Sequence, residues 1–235
     1  MQGRVHSIQS LGALDGPGIR YTVFLSGCNL RCGCCHNPDT WDIGAAKEYD
    51  ASEIVNNALR YREYFGDEGG ITLSGGEPLL QAEFAKEVFT LAKNSGLNTC
   101  LDTSGSLINE SVRGLLLVTD RVLLDLKYTS EEEYQSYVGC SLGAPMKFLE
   151  VLCQMNIKTT VRQVIIPTLN DSEESLARLK SLTRGYSCID KFEFLPFKKM
   201  CRVKYEALGL KFPFERFPEP SDKDISKIEG YFFSL

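Results

Sequence analysis

The chain has 235 residues, 43% of them hydrophobic, and a net charge of −5. That is enough apolar side chain for one well-buried domain of barrel size, and an acidic balance that excludes a broad basic field for nucleic acid. No run approaches the roughly 18 apolar residues of a membrane span, and the opening MQGRVHSIQS lacks the apolar stretch of a secretory leader. We therefore expect a cytoplasmic protein without nucleic-acid or membrane partners, forming a single domain over 1–235. Its nine cysteines are odd in number in a chain too large to need disulfide staples. Reduced thiols are expected, some of them reserved for metal. Cys100, Cys140, Cys153, Cys188 and Cys201 are scattered singly and are assigned no function.

The first unusual segment is the turn Asp15-Gly16-Pro17-Gly18-Ile19-Arg20, whose plain reading is turn chemistry. A β-rich run at 20–25 follows, and after it a loop at 28–36 holding Cys28, Cys32 and Cys35 in the spacing CxxxCxxC. Three thiolates can hold three corners of a [4Fe–4S] cluster, whose usual complement is four cysteines. The fourth iron would then be open to a substrate, as reacting metals are. The alternative is a zinc-stabilised binding module held by Cys28, Cys32, Cys35 and His36. Zinc sites usually pair two separated knuckles, and this loop has no second one. Cys34 reads as a packed bystander.

Downstream, strand-like runs alternate with helical periodicity. Strands are expected at 70–74, 98–102, 121–126, 159–166 and 191–195, and helices at 51–64, 81–95, 130–137, 145–154, 172–184 and 221–233. The pattern implies an α/β fold, a partial and incompletely closed (β/α)6 TIM-like barrel. Its chemistry would sit where strands end at their C-terminal rim. The segments SGGEP, DTSG, DLK and LPFK each follow or finish a strand, so they converge on the rim that carries the cysteine loop.

Each segment has its own chemistry. Gly75 and Gly76 let a backbone approach a ligand closely, and Glu77 can accept from an ammonium. Asp125 and Lys127 are two apart, so on an extended strand they share a face and suit a zwitterionic ligand. Arg162 lies in a Thr/Val/Ile-rich strand, where a guanidinium needs a buried partner. It could face a ligand carboxylate, face a protein substrate, or stitch two strands together.

CxxxCxxC followed by His36-Asn37-Pro38-Asp39-Thr40-Trp41 resembles the radical S-adenosylmethionine (SAM) superfamily. The DGPGIR turn with CHNPDTW narrows the resemblance to the glycyl-radical-enzyme activating enzymes, in their short pyruvate formate-lyase type. It runs through GGITLSGGEP, LDTSG, LDLK, VRQVIIP and LPF, nearly the whole chain. It implies an oxidoreductase of anaerobic metabolism that cleaves SAM reductively and abstracts a hydrogen from a backbone glycine of a partner enzyme. It implies one [4Fe–4S] cluster on Cys28, Cys32 and Cys35, with SAM held by Gly75, Gly76, Glu77, Asp102 and Lys127, and Arg162 as a further candidate. A monovalent cation on Asp102, Thr103 and Asp125, and a partner-peptide contact at Asp15, follow from the same pattern. The family's final strand commonly ends in Leu-Pro-Tyr-His with the histidine on SAM; Lys198 stands at that place here as a candidate hydrogen-bond donor to SAM, and Cys201 stands where glycine is usual. No second CxxC follows Trp41, so no auxiliary ferredoxin-like domain is expected. The reductant would be flavodoxin or ferredoxin, and the working state a monomer. A radical SAM enzyme acting on a small molecule is the alternative within enzymes.

Overall fold

The computed structural model describes residues 1–44 and 46–235. Eight strands form one sheet: β1 (Gln2–Gly12), β2 (Arg20–Leu25), β3 (Lys47–Asp50), β4 (Gly70–Gly75), β5 (Asn98–Thr103), β6 (Arg121–Asp125), β7 (Lys158–Ile165) and β8 (Ile189–Pro196). The helices are α1 (Ala51–Leu59), α2 (Arg62–Phe65), α3 (Ala82–Asn94), α4 (Glu110–Leu116), α5 (Glu131–Tyr137), α6 (Gly143–Gln154), α7 (Glu173–Thr183), α8 (Arg202–Ala207) and α9 (Asp222–Ser234). The strand order is β3-β1-β2-β4-β5-β6-β7-β8, with no hydrogen-bonded closure between β3 and β8. Strands β2 and β4 to β8 run parallel, the six-strand partial barrel expected from the sequence.

Two antiparallel strands extend that barrel beyond expectation. β1 pairs with β2, and β3 pairs with β1. The segment expected as one helix over 51–64 is broken, because Arg60 and Tyr61 separate α1 from the single turn of α2.

Alternation along the parallel strands sorts their side chains. Ile71, Leu73, Leu101, Val122 and Leu124 join Ile54, Phe89, Leu115 and Phe148 of the helices in the largest apolar core. α9 closes the far edge, with the Phe232 ring 4.8 Å from that of Phe192 and 5.0 Å from that of Phe194. The intervening positions carry Thr72, Ser74, Asp102, Asp125 and Arg162, whose polar groups bond to one another and to neighbouring strands.

Arg20, expected at a turn, is fully buried at the start of β2. Its guanidinium donates to Thr72 Oγ1 (2.9 Å), the Glu68 carbonyl (2.9 Å), the Ile71 carbonyl (2.7 Å) and Asn98 Oδ1 (2.9 Å). A ring of oxygens rather than a carboxylate therefore solvates the charge and ties β2, β4 and β5 together at their N-terminal ends. Arg20→Leu strands several buried acceptors at once, and each such loss costs about 1–3 kcal/mol. We expect a loss of at least about 3 kcal/mol in denaturant unfolding. A variant as stable as the parent would contradict this role.

Candidate active site

The cysteine loop is built before any metal is considered. Gly27 donates to the Thr40 carbonyl (2.7 Å) and Cys28 to the Trp41 carbonyl (3.3 Å), so the loop closes on itself. Gly33 donates to the Tyr137 carbonyl (2.8 Å) and Arg31 to the Val138 carbonyl (3.3 Å), which pins it to the end of α5. A Cβ at Gly33 would overlap the Phe214 ring, so only glycine permits this packing. Tyr205 of α8 donates to the Cys35 carbonyl at 3.3 Å. The spare thiol, Cys34, is buried in the apolar cluster formed by Tyr128, Phe197, Tyr205 and Phe214. The Tyr128 hydroxyl beside it has no hydrogen-bond partner among the described residues.

Cys28, Cys32 and Cys35 line one cavity of about 290 Å³, together with Ser74, Gly75, Gly76, Asp102, Thr103, Ser104, Asp125, Lys127 and Arg162. The sequence-marked segments therefore do meet at a single rim. Among the described residues, no three His, Cys, Asp or Glu side chains converge on one point as ligands of a single metal ion. A polynuclear cluster, whose irons occupy separate corners, asks for thiols set apart around a shared cavity.

The donor set suits such a cluster. Burial pushes the Cys28 thiol up to about 11 and raises those of Cys32 and Cys35, so bare thiols hold their protons. A cationic metal in the proton's place relieves that cost. Donors already face two of the sulfurs: the Leu30 N–H lies 3.5 Å from Cys28 Sγ, and the Asn37 N–H and Trp41 indole favour the Cys35 thiolate. Hydrogen bonds to sulfur are a means by which proteins tune Fe–S potentials.

The rest of the cavity is charged but balanced. Arg162, 7% exposed, bonds Asp125 through Nε (3.1 Å) and also pairs with Asp102. Lys127 Nζ lies 2.9 Å from Asp125 Oδ2, and Ser74 donates to Asp102 Oδ2 at 2.7 Å. Two carboxylates and two cations thus neutralise one another across β5, β6 and β7. Burial opposes charge on Asp125, but Lys127 and Arg162 outweigh it and hold its carboxyl low. On Asp102 burial prevails over Arg162, and the carboxyl is raised. Arg162 does stitch strands, and its guanidinium also lines the cavity wall.

Two residues lie elsewhere than the sequence suggests. Glu77 does not line the cavity; it is 1% exposed and accepts from Thr103 Oγ1 (2.6 Å), the Ser104 N–H (3.0 Å), the Ser104 hydroxyl and the Leu79 N–H (3.1 Å). Its carboxylate is spent on shaping the DTSG turn, and the cavity wall beside it is formed by Ser74, Gly75 and Gly76. Lys198 turns toward Glu219 (3.6 Å) and also leaves the cavity to Leu195 and Pro196. Its carbonyl bonds His36 Nε2 at 2.8 Å, so it is the Lys198 backbone that meets the cysteine loop. Asp15 accepts from Thr22 (3.1 Å), and its carbonyl accepts from Thr72 (2.7 Å), which holds the DGPG turn against β2 and β4. Ser74, Ser104 and Leu195 reach the cavity from the SGGEP, DTSG and LPFK segments, although nothing in the sequence assigned these three residues a role of their own.

Glu77→Ala leaves two hydroxyls and two N–H groups of the DTSG and SGGEP turns without their acceptor. The expected result is a loss of about 2–3 kcal/mol in stability and a weakened cofactor affinity. Thermal unfolding with equilibrium dialysis of SAM checks both; unchanged values would remove Glu77 from this scaffold.

Fold and cavity together define a partial-barrel protein that keeps a soft-donor metal loop at its C-terminal rim. A family model described as the radical SAM superfamily matches residues 22–179. The pyruvate formate-lyase 1-activating enzyme of Escherichia coli K12 is 37% identical over 231 residues, covering 97% of this chain and 94% of that protein. The pyruvate formate-lyase-activating enzyme of Clostridium pasteurianum is 38% identical over 236 residues, covering 100% and 99%. Among solved structures, Streptococcus suis SuiB bound to precursor peptide SuiA matches with a TM-score of 0.71 at 16% identity. That match covers 97% of this chain and 46% of SuiB. The chain belongs to the radical SAM superfamily, in the family of the pyruvate formate-lyase-activating enzymes. Membership implies a [4Fe–4S] cluster and SAM.

Proposed function

We propose that the chain is a radical SAM activase that abstracts a hydrogen from a backbone glycine of a partner glycyl radical enzyme of the pyruvate formate-lyase type. The observation that carries this reading is the match, along nearly the whole chain, to relatives named for that activation. When bound, the cluster and SAM supply a 5′-deoxyadenosyl radical by one-electron cleavage of the sulfonium.

The chain's own residues hold and aim that chemistry. Cys28, Cys32 and Cys35 are the cluster ligands, and the burial of their loop among Tyr205, Phe212 and Phe214 keeps water from it. The Gly75 and Gly76 backbone and Asp102 receive the ammonium of the methionine moiety, and Lys127 and Arg162 face its carboxylate. Glu77 acts at one remove, as a positioning residue that fixes Thr103 and Ser104. Asp102, Thr103 and Asp125 are the candidate ligands of a monovalent cation; Arg162 occupies both carboxylates here, so cation binding asks it to share them. Asp15, anchored by Thr22 and Thr72 in the turn before β2, is the candidate contact for the partner's peptide. Fixed geometry of this kind supplies much of the rate. The chain works as one domain and a monomer in the cytoplasm, reduced by flavodoxin or ferredoxin.

Isotope transfer tests the reading. A partner enzyme carrying glycine deuterated at Cα should pass deuterium into 5′-deoxyadenosine, read by mass spectrometry. SAM cleavage that leaves the deuterium in the partner would overturn it.

A further inference from the structure

Two of the cysteines scattered singly along the sequence meet in the fold. Cys153 lies in the last turn of α6, and Cys188 stands 35 residues further on, just before β8. The Cys188 N–H donates to Cys153 Sγ at 3.4 Å, the Ser187 hydroxyl lies 3.7 Å from the same sulfur, and the Cys188 thiol bonds it as well. Both residues stand on anchored backbone: the Cys153 carbonyl accepts from the Asn156 N–H (3.1 Å), and the Cys188 carbonyl from the Thr159 N–H (2.9 Å). The pair sits at the N-terminal end of the parallel strands, whereas Leu195 and Pro196, at the other end of β8, line the cluster cavity. At about 3.3 Å per residue, the length of that strand puts at least about 20 Å between Cys188 and the cavity.

The two thiols differ in kind. Cys153 is half-buried and open to a small solute, while Cys188 is 8% exposed and packed into the largest apolar core. Burial opposes charge on Cys153, yet the Cys188 thiol, the Cys188 N–H and the Ser187 groups outweigh it and hold its pKa below the ordinary thiol value. Burial, reinforced by Cys153, pushes Cys188 up to about 12. Burial also raises the thiols of Cys100, Cys140 and Cys201. Oxidation selects the thiol that is accessible and thiolate-like, and a second thiol in contact with it resolves the product.

We infer that Cys153 and Cys188 form a peroxide-reactive dithiol apart from the cluster, in which Cys153 is oxidised first and Cys188 resolves the product to an intramolecular disulfide. The Cys153 thiolate attacks one peroxide oxygen; an S–O bond forms, the O–O bond breaks, and the departing hydroxide takes up the proton that Cys153 has lost. The sulfur is thereby oxidised by two electrons to the sulfenic acid, and the peroxide is reduced. The Cys188 sulfur then attacks Cys153 Sγ; the S–S bond forms, the S–O bond breaks, and the hydroxyl leaves as water with the Cys188 proton. Two thiols and one hydrogen peroxide give one disulfide and two waters, and the new bond ties α6 to the start of β8. Nothing in this chemistry depends on the partner that the radical reaches.

The test is mass spectrometry of the cluster-loaded chain, treated anaerobically with equimolar hydrogen peroxide, quenched with iodoacetamide in urea and digested with trypsin without reduction. Trypsin releases Cys153 in peptide 148–158 and Cys188 in peptide 185–191, each with a single cysteine. The two peptides should appear joined, and dithiothreitol should separate them. Cys153 should leave the alkylated pool at least about tenfold faster than Cys140, which is also partly exposed. In Cys188→Ser the reaction should stop at the sulfenic acid, trapped by dimedone on peptide 148–158. In Cys153→Ser, Cys188 should stay reduced and take no dimedone. Both variants should keep the parent's iron content and SAM cleavage.

Peptides that stay unlinked while the peroxide is consumed overturn the proposal. So does oxidation of Cys140 as fast as that of Cys153, or dimedone on Cys188 and not on Cys153. A cluster that loses iron while Cys153 and Cys188 remain fully alkylated makes the pair a packing contact only. Sulfenic acid that persists on Cys153 in the parent overturns the resolving role of Cys188.

Discussion

Cys32→Ala is expected to give a folded chain that holds far less than the roughly four irons of a cluster and generates no glycyl radical above the background without enzyme. The loop does not need the sulfur to keep its shape. Its anchors are backbone bonds from Gly27 to Thr40, from Gly33 to Tyr137 and from Arg31 to Val138. Truncating one buried thiol leaves a small void, worth about 1–2 kcal/mol. The effect on chemistry is out of proportion to this, because a cluster left with two of its three protein ligands loses a corner; Cys34 lines the same cavity but is packed beside Tyr128. Cys34→Ala is the informative control. Cys34 is equally buried, and its thiol is pushed up to about 11 by that burial, yet it is a packing residue beside Tyr128. It should keep both iron and activity. Iron and sulfide analysis with far-UV circular dichroism separates the outcomes, and an iron-loaded Cys32→Ala chain would show that the ligand set is different.

Arg162→Ala should produce the second large effect, in stability and in cofactor affinity together. The guanidinium bridges Asp102 and Asp125, which lie on neighbouring strands and are largely sequestered from solvent. Removing one partner of a buried ion pair typically costs about 3–5 kcal/mol, because the remaining charge is left uncompensated. Arg162→Lys should recover only part of this, since an ammonium lacks the planar fork that serves two carboxylates at once. The pH dependence has a definite sign. Without Arg162, burial raises the Asp102 carboxyl further above its unfolded value while Lys127 still holds Asp125 low, so the native state takes up a proton preferentially at Asp102. Lowering the pH therefore favours the native state, and the variant's deficit should narrow as pH falls toward the carboxylate range. Urea unfolding at several pH values checks this; a deficit that widens on acidification would contradict the charge assignment.

The barrel was legible where burial is two-sided. The strand run 122–124 is short and apolar, as a parallel sheet covered by helices demands. β1 and β3 escaped detection because pairing rather than burial creates them. β1 reads GRVHSIQS with only Val5 and two other positions buried, and β3, Lys47–Asp50, has no buried residue at all. α8 was hidden for a different reason: with six residues and only Tyr205 buried, it has too little length for a periodic signal.

At the site, the sequence carried residue types and left side-chain directions open. The cysteine loop, the two glycines of SGGEP and the Asp125–Lys127 pair are local patterns whose spacing places them. Glu77 and Lys198 sit in the right segments but point elsewhere, Glu77 into the DTSG turn and Lys198 toward Glu219. Arg20 shows the same limit from the core side. Its neighbours in sequence mark a turn, while its oxygen partners come from Glu68, Ile71, Thr72 and Asn98. Such partnerships exist only once strands far apart in sequence have been brought together.

The central claim is that the radical made in this cavity is passed to a protein glycine. Its most direct test is electron paramagnetic resonance of the reconstituted chain, incubated anaerobically with SAM, reductant and a pyruvate formate-lyase-type enzyme. The account predicts a glycyl-radical doublet that grows in as 5′-deoxyadenosine accumulates. A reduced cluster that cleaves SAM to completion with no doublet would contradict it.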